Sequence, residues 1–278
     1  MQILHLSDLH IGRDGARSTR NRRAEKLVRR IEGSWGRAEA KPLVLITGDV
    51  VDNGEEDEFF EARRTLRPLV DAGFTVLPIP GNHDYGWAGS YAQAKKFALF
   101  KRYLLGTTAR VGYPQVAYDE EGVTLITLDS MKAETGFPDG LLANGEMGRA
   151  QRRSLARIIA SLHEERPAEQ RIVVALHHHP FLFPGETPLE LAKDWVGHRL
   201  KDGESLMKVL QGRVHALLFG HEGKHLDFSR RIGGRVLTEE SSIPCILCNG
   251  NSTDPRLPAR VITIEAGRDP TWRKAPWR

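Results

Sequence analysis

The chain has 278 residues, 40% of them hydrophobic and 27% charged, with 40 Lys and Arg against 36 Asp and Glu for a net charge of +4. This is enough apolar material for a sizeable core, and the even spread of both charge signs reads as an ordinary soluble protein, with the small net charge saying little about partners. No apolar run approaches the ~18 residues of a membrane span, and no charged-then-apolar signal segment opens the sequence. Two cysteines, Cys245 and Cys248, exclude a disulfide framework. The expectation is a cytoplasmic protein with no membrane partner and a reduced Cys pair on or beside a strand.

In chain order, residues 1–12 read as a buried strand, and its two-residue repeat sends Asp8 and His10 to the same side at its end. Residues 18–35 carry Leu27, Val28 and Ile31 at helical spacing. Residues 41–47 are a short apolar strand ending in Gly48-Asp49-Val50-Val51-Asp52. A helix over 55–72 leads to a strand over 74–80 and then Gly81-Asn82-His83-Asp84. Further helices are predicted over 91–105 and 145–163, with a strand over 123–128 between them. The apolar run 171–176 enters His177-His178-His179-Pro180. Residues 181–200, with their Pro and Gly breaks, read as a loop with a short helix that covers a site. A helix over 204–210 and a strand over 214–219 precede Gly220-His221-Glu222-Gly223-Lys224-His225. Strands over 235–238 and 260–265 close the chain. No repeat or low-complexity linker divides it, so one domain over 1–278 is expected, a mixed sheet system with helices outside. The Arg-rich stretches 17–30 and 149–157 fall on helical patterns and read as solvated faces.

The strand ends carry the chemistry. In open α/β sheets the ligand crevice lies outside the carboxyl ends of the strands. Here five apolar runs end in Asp8 and His10, Asp49, Asn82, the triple histidine and His221. Each alone has an ordinary explanation: Asp8 as a helix cap, His83 as a turn residue, His221 as a structural histidine. Their conjunction makes a site. Oxygen and imidazole donors together suit Mn, Fe, Zn, Co or Ni rather than calcium. A carboxylate able to bridge suits two ions roughly 3.5–4 Å apart, between which a water deprotonates near neutral pH and becomes a nucleophile.

The blocks Asp8-x-His10, Gly48-Asp49, Gly81-Asn82-His83-Asp84, His177-His178-His179-Pro180 and Gly220-His221, in this order, resemble those of the calcineurin-like metallophosphoesterase superfamily. The spelling His-His-His-Pro and the stretch 145–155 with Gln151 most resemble its bacterial cyclic-nucleotide phosphodiesterase branch. The resemblance implies a four-layer α/β/β/α sandwich of two mixed sheets and a centre of two divalent ions of the Mn/Fe/Zn class. Asp8 and His10 would hold the first ion, and Asp49 would bridge. Asn82, His221 and one of the triple histidines would hold the second. An ungapped match selects His177, and counting back from Pro180 selects His178. His83 resembles the residue that contacts phosphate and protonates the leaving oxygen, a role suited to imidazole, with Asp52 as its orienting partner.

One block departs from the family. Its last motif reads Gly-His-x-His, but the second histidine position is Gly223 here. A bulge at this glycine would bring His225 to the first ion; without one, that ion keeps Asp8, His10 and Asp49 with water. The implied activity is hydrolysis of small phosphodiesters such as cyclic nucleotides by the bridging hydroxide. The alternatives are a phosphomonoesterase or nuclease on the same fold, or a weakly active metal or phosphate-binding module on account of Gly223. Nucleic acid is the less favoured partner, because no large basic surface or extra domain is evident. Phe181 and Phe183 read as core more readily than as base-stacking groups. Trp195, Trp272 and Trp277 lie in segments without periodicity and suit an interface, while the oligomeric state stays open.

Overall fold

The structure, a computed structural model, describes residues 1–12, 18–86, 92–120, 122–133, 144–165, 169–182, 199–230, 236–257 and 259–276. In the first half, strands β1 (Gln2–Leu6), β2 (Leu43–Thr47) and β3 (Val76–Ile79) alternate with helices α1 (Thr19–Trp35), α2 (Glu56–Asp71) and α3 (Ala94–Tyr103). Strands β4 (Gln115–Glu120) and β5 (Val123–Thr127) form a hairpin, followed by α4 (Arg149–Glu165), β6 (Arg171–Ala175), α5 (Gly203–Leu210) and β7 (Ala216–Phe219). The chain closes with β8 (Leu226–Asp227), a short helix α6 (Leu237–Ser241), β9 (Cys245–Cys248), β10 (Arg260–Thr263) and β11 (Thr271–Lys274).

The strands form two mixed sheets, ordered β11-β10-β1-β2-β3 and β4-β5-β6-β7-β9-β8. Strands β1, β2 and β3 run parallel, as do β5, β6, β7 and β9. Strands β10, β11, β4 and β8 pair antiparallel, with β11, β4 and β8 at the sheet edges.

The alternation of side chains along each strand builds the layers. Ile3, Leu45, Leu125, Val173, Leu218, Leu247 and Ile262 share one buried cluster between the sheets. The intervening residues Leu4, Leu6, Val44 and Ile46 pack beneath α1 and α2 against Leu27, Ile31, Phe59 and Leu66. On the second sheet Ile126, Val174, Leu217 and Ile246 pack against Leu155, Ile159 and Leu206 of α4 and α5. Three apolar clusters thus separate four layers, helix, sheet, sheet and helix, in agreement with the architecture the resemblance implies. Fully burying each of these Leu or Ile side chains contributes about 1.5–3 kcal/mol before entropy is counted.

Local signals set the helix starts. Ser18 caps α1 by accepting from the Asn21 N–H, and Glu55 with Glu58 forms a capping box on α2. Several expectations are corrected. Strand β1 stops at Leu6, so Asp8 and His10 do not share a side by strand alternation. The strand expected over 235–238 is replaced, over its described part, by the start of α6, where Thr238-Glu239-Glu240 favours a turn of helix over a ladder. Strands β4, β8, β9 and β11 lacked a clear period: β4 is an exposed edge with a bulge, and β9 is buried on both faces.

Cys245 and Cys248 are free thiols at the two ends of β9. Trp272 is not an exposed apolar group: it stacks on the Arg260 guanidinium and donates to Asp227. Phe181 packs edge-on against Phe219 and Phe228 and is core. Phe183, Trp195, Trp277 and most of the loop over 181–200 lie outside the described residues. No helix among the described residues is long and apolar enough to cross a membrane.

Candidate metal centre

The carboxyl ends of β1, β2, β3, β6 and β7 deliver the motif residues to one edge of the paired sheets. The backbone there is unusual. Five described non-glycine residues take positive φ, and four of them are Asp8 (55°), His10 (47°), Asp49 (51°) and His221 (75°). Asp and His tolerate the left-handed region better than branched residues, and such conformations persist only where the surroundings over-determine them. Hydrogen bonds do so here: Asp8 N–H to the Gly48 carbonyl at 3.1 Å, His10 N–H to that of Asp49 at 3.0 Å, and Ile11 N–H to that of Val50 at 3.0 Å. Asp8 and His10 are therefore aimed by a twisted loop stitched to the one after β2.

Asp49 is central. Its Oδ2 lies 3.3 Å from His177 Nε2, 3.9 Å from His10 Nε2 and 4.0 Å from His83 Nε2. It belongs to two groupings of ligand atoms, one with Asp8 and His177 and one with His10 and His83; a further grouping joins His177, His178 and His221. Asp8 Oδ1 is 3.9 Å from His10 Nε2, and His221 Nδ1 is 3.1 Å from His177 Nε2.

His177 has the most informative surroundings. Its Nδ1 lies 2.7 Å from the Thr47 carbonyl, to which it can only donate. That leaves Nε2 facing two oxygens, Asn82 Oδ1 at 3.0 Å and Asp49 Oδ2 at 3.3 Å. In a neutral ring the Nε2 lone pair would point at two acceptors, so the arrangement calls for positive charge at Nε2, carried by a bound metal ion or by a proton on the ring. Burial opposes charging this ring, but the Asp49 charge and hydrogen bond and the Asp8 charge outweigh it and push its pKa up to about 9. Burial also opposes charge on Asp49, yet His177 and His83 hold it well below the usual carboxylate range. His221 stays neutral because burial, reinforced by His178 and His177, pushes its pKa well down. Two buried carboxylates, an amide oxygen and imidazole nitrogens form a donor set that fits divalent ions of the Mn/Fe/Zn class, and the ring fixed through its other nitrogen is the usual support of a metal-binding histidine.

Both readings of the triple histidine are thereby distinguished by position. His177 faces Asp49 and Asn82. His178 bonds Ser130 Oγ through Nδ1 at 2.8 Å and meets His221 ring to ring at 4.4 Å. His179 lies 3.1 Å from Glu222.

Two expectations are revised. Asp52 does contact His83, but through its carbonyl, 2.7 Å from His83 Nδ1; its carboxylate lies nearer His10 Nδ1 (3.3 Å) than His83 (4.0 Å) and is paired with Arg20 at 2.8 Å. His225 belongs to no grouping of ligand atoms with Asp8 or His10 among the described residues. Gly223 does adopt positive φ, 60°, but the turn leaves His225 beside Arg260 and Asn249; burial first, then Arg260, pushes its pKa down to about 4.

Other supporting residues carried no separate sequence signal. Asp84, the last residue of its block, accepts from the N–H groups of Val50, Val51 and Gly81 and so locks the loops carrying Asp49 and Asn82 together. Burial, then the Asp49 charge, raises its pKa to about 7. Gly48, Gly81 and Gly220 are sites of close approach: a Cβ there would strike His177, Asp49 and Ser7 respectively.

A four-layer α/β/β/α sandwich with clustered aspartates and histidines where its sheets meet defines a metallophosphoesterase-type protein. The calcineurin-like phosphoesterase family model matches residues 1–225, and the chain belongs to that family. It is 28% identical over 223 residues to a probable cyclic nucleotide phosphodiesterase of Rhodococcus erythropolis, covering 79% of this chain and 64% of that protein. It is 27% identical over 186 residues to the glycerophosphodiester phosphodiesterase GpdQ of Enterobacter lignolyticus, covering 66% and 59%. The chain thus spans about three fifths of the length of these curated relatives. Among solved structures it resembles a dimetal phosphatase from Danio rerio, with a TM-score of 0.63 at 14% identity over 99% of this chain and 98% of that one. It also resembles a purple acid phosphatase from yellow lupin, with a TM-score of 0.64 at 12% identity over 99% and 51%.

Proposed function

We propose that the chain hydrolyses small phosphodiesters, cyclic nucleotides among them, at a centre of two divalent ions. Asp8, His10 and Asp49 would hold one ion, and Asn82, His177 and His221 the other, with Asp49 placed between the two sets and His178 supporting His221. The observation that carries this reading is the His177 ring, fixed through Nδ1 and presenting Nε2 to Asn82 Oδ1 and Asp49 Oδ2, an arrangement that a metal ion between them would satisfy. When bound, two such ions supply positive charge to the phosphoryl oxygens and a water acidic enough to serve as nucleophile.

The chain's own residues do the rest. His83 is held through Nδ1 by the Asp52 carbonyl, so its Nε2 is free on the Asp49 side to hold a proton for the leaving oxygen. The Asp52 carboxylate serves His10 more than His83, fixing that ring so that its Nε2 faces Asp8 and Asp49. Asp84 and the His221 N–H, which donates to Asp8 Oδ2 at 3.1 Å, keep the loops from drifting apart. Strand β10 pairs along β1 and completes its sheet, which supports reading 1–278 as one domain.

The diester preference is supported by the names of the two curated relatives, both phosphodiesterases. A second reading, a weakly active metal or phosphate-binding module, is favoured by one observation: no side chain from residues 223–225 joins the grouping around Asp8. Turnover of bis(4-nitrophenyl) phosphate, 4-nitrophenyl phosphate and 3′,5′-cyclic AMP by the Mn(II)-loaded protein separates these readings. The expected result is faster hydrolysis of the diesters than of the monoester. A monoester preference overturns the diester assignment, and two bound ions with no turnover establishes the binding module.

A further inference from the structure

Asn249 and Ser252 lie beyond residues 1–225, the stretch the family model covers, and outside every motif block. Both are buried. They sit on the loop after β9, and three of their hydrogen bonds go to the backbone of His5 and Ser7, just before the first two ligands. The Ser7 N–H donates to Ser252 Oγ at 2.9 Å, and the Ser252 N–H donates back to the Ser7 carbonyl at 3.0 Å, across 245 residues of sequence. Asn249 Nδ2 donates to the His5 carbonyl at 2.8 Å and to Ser252 Oγ at 3.2 Å, fixing the hydroxyl that receives the Ser7 N–H. The Ser7 hydroxyl in turn donates to the Thr47 carbonyl, the same oxygen that receives His177 Nδ1.

The next residue, Asp8, takes the left-handed backbone at φ 55° that aims its carboxylate at His10 and His177. An isolated chain does not hold Asp there; hydrogen bonds on both sides of it must. The loop after β2 supplies hydrogen bonds on both sides, and on the near side those to the Ser7 N–H, the Ser7 carbonyl and the His5 carbonyl are added by Ser252 and Asn249 on the loop after β9. The same loop also touches the last block, since Gly250 packs directly on Gly223 and Lys224, leaving no room for a Cβ.

We propose that Asn249 and Ser252 are positioning residues for the Asp8 half of the metal centre, so that the segment after residue 225 is required for full affinity at one of the two ions. This rests on the two-ion reading above. Neither residue contacts the reacting groups; each acts through the Ser7 backbone.

The test is Mn(II) titration by calorimetry, with metal content measured after desalting, on wild type, Ser252→Ala, Ser252→Thr and Asn249→Ala. The expected result is two ions in wild type, with one bound 10–100-fold more weakly in Ser252→Ala and Asn249→Ala, the scale typical of lost support to a metal ligand. The other ion should stay within threefold, the metal-free melting temperature should be little changed, and Ser252→Thr, which restores the acceptor oxygen, should recover both ions. Two ions at wild-type affinity in both Ala variants overturns the proposal while leaving the metal centre standing. Equal loss of both ions with a lowered metal-free melting temperature and no rescue by Thr reduces the loop to general structure and also overturns it. Wild type that takes up no Mn(II) overturns the two-ion reading and this proposal with it.

Discussion

His177 Nδ1 lies 2.7 Å from the carbonyl oxygen of Thr47, a residue 130 positions earlier at the end of β2. This contact joins the two sheets at the site and decides which nitrogen of His177 faces Asp49. It also separates His177 from His178, whose Nδ1 is engaged with Ser130, just beyond β5. His177→Ala should therefore remove one ion per chain and reduce turnover by about two orders of magnitude or more, whereas His178→Ala should weaken the same ion by about tenfold, as lost support does. Metal content after gel filtration checks this, and equal retention of both ions in the two variants would refute the ranking.

On the proposed reading His83 serves proton transfer, although its Nε2 also groups with Asp49 and His10. His83→Ala should lower kcat by about 10²–10⁴ with both ions retained. A loss of metal in proportion to the loss of activity would instead make His83 a ligand.

His225 is turned toward Arg260 and Asn249. The expected behaviour of His225→Ala is wild-type ion stoichiometry and turnover within about threefold. A drop to one ion would mean that the loop after Gly223 rearranges on loading and brings His225 in.

Gly220 has no room for a side chain, because a Cβ would fall on the Ser7 hydroxyl and close to the Thr47 carbonyl and Asp8. Gly220→Ala should cost about 1–3 kcal/mol of stability by overpacking and weaken metal binding at the same time, since Ser7 and Asp8 must give way. Urea unfolding of the metal-free and loaded forms measures both. Unchanged stability would show that the Ser7 loop yields freely.

His215, at the opposite end of the strands from the metal centre, gives a clean pH prediction. It accepts from the Ile172 N–H through Nδ1 at 3.1 Å. Burial, then the charge of Arg171, lowers its pKa to about 4. The unfolded chain, with histidine near 6.5, binds the proton more readily, so this group leaves stability at its full value above about pH 6.5 and lowers it as pH falls toward 4. Because the ring is partly exposed, the contribution is discounted for solvent screening to about 1 kcal/mol. His215→Asn keeps an acceptor for Ile172 but cannot titrate, so urea unfolding should show less loss of stability between pH 7.5 and 5 than in wild type. The same slope in both proteins would assign the acid sensitivity elsewhere.

The parts of this protein legible in its sequence are those fixed by short-range patterns. Apolar runs of four to six residues marked β1, β2, β3, β5, β6 and β7, and helical spacing marked α1, α2, α4 and α5. The polar blocks after the parallel strands named nearly every residue of the candidate site, because a strand end followed by Gly or Pro is itself a local feature. Edge strands such as β4 and β11 gave no such signal, since half-exposed strands carry little hydrophobic contrast.

The motif blocks carry the family, the donor types and the order in which they reach the site. That Asp8 and His10 are aimed by left-handed backbone rather than strand alternation follows from how the loops pack. The same packing decides that His177 rather than His178 faces Asp49, that the Asp52 carboxylate serves His10, that His225 turns away, and that Asn249 and Ser252 reach back to Ser7. The reason is physical: these choices depend on carbonyls and amides from strands tens to hundreds of residues apart, and those groups are the same in every residue, so no sequence pattern marks them until the sheets have stacked.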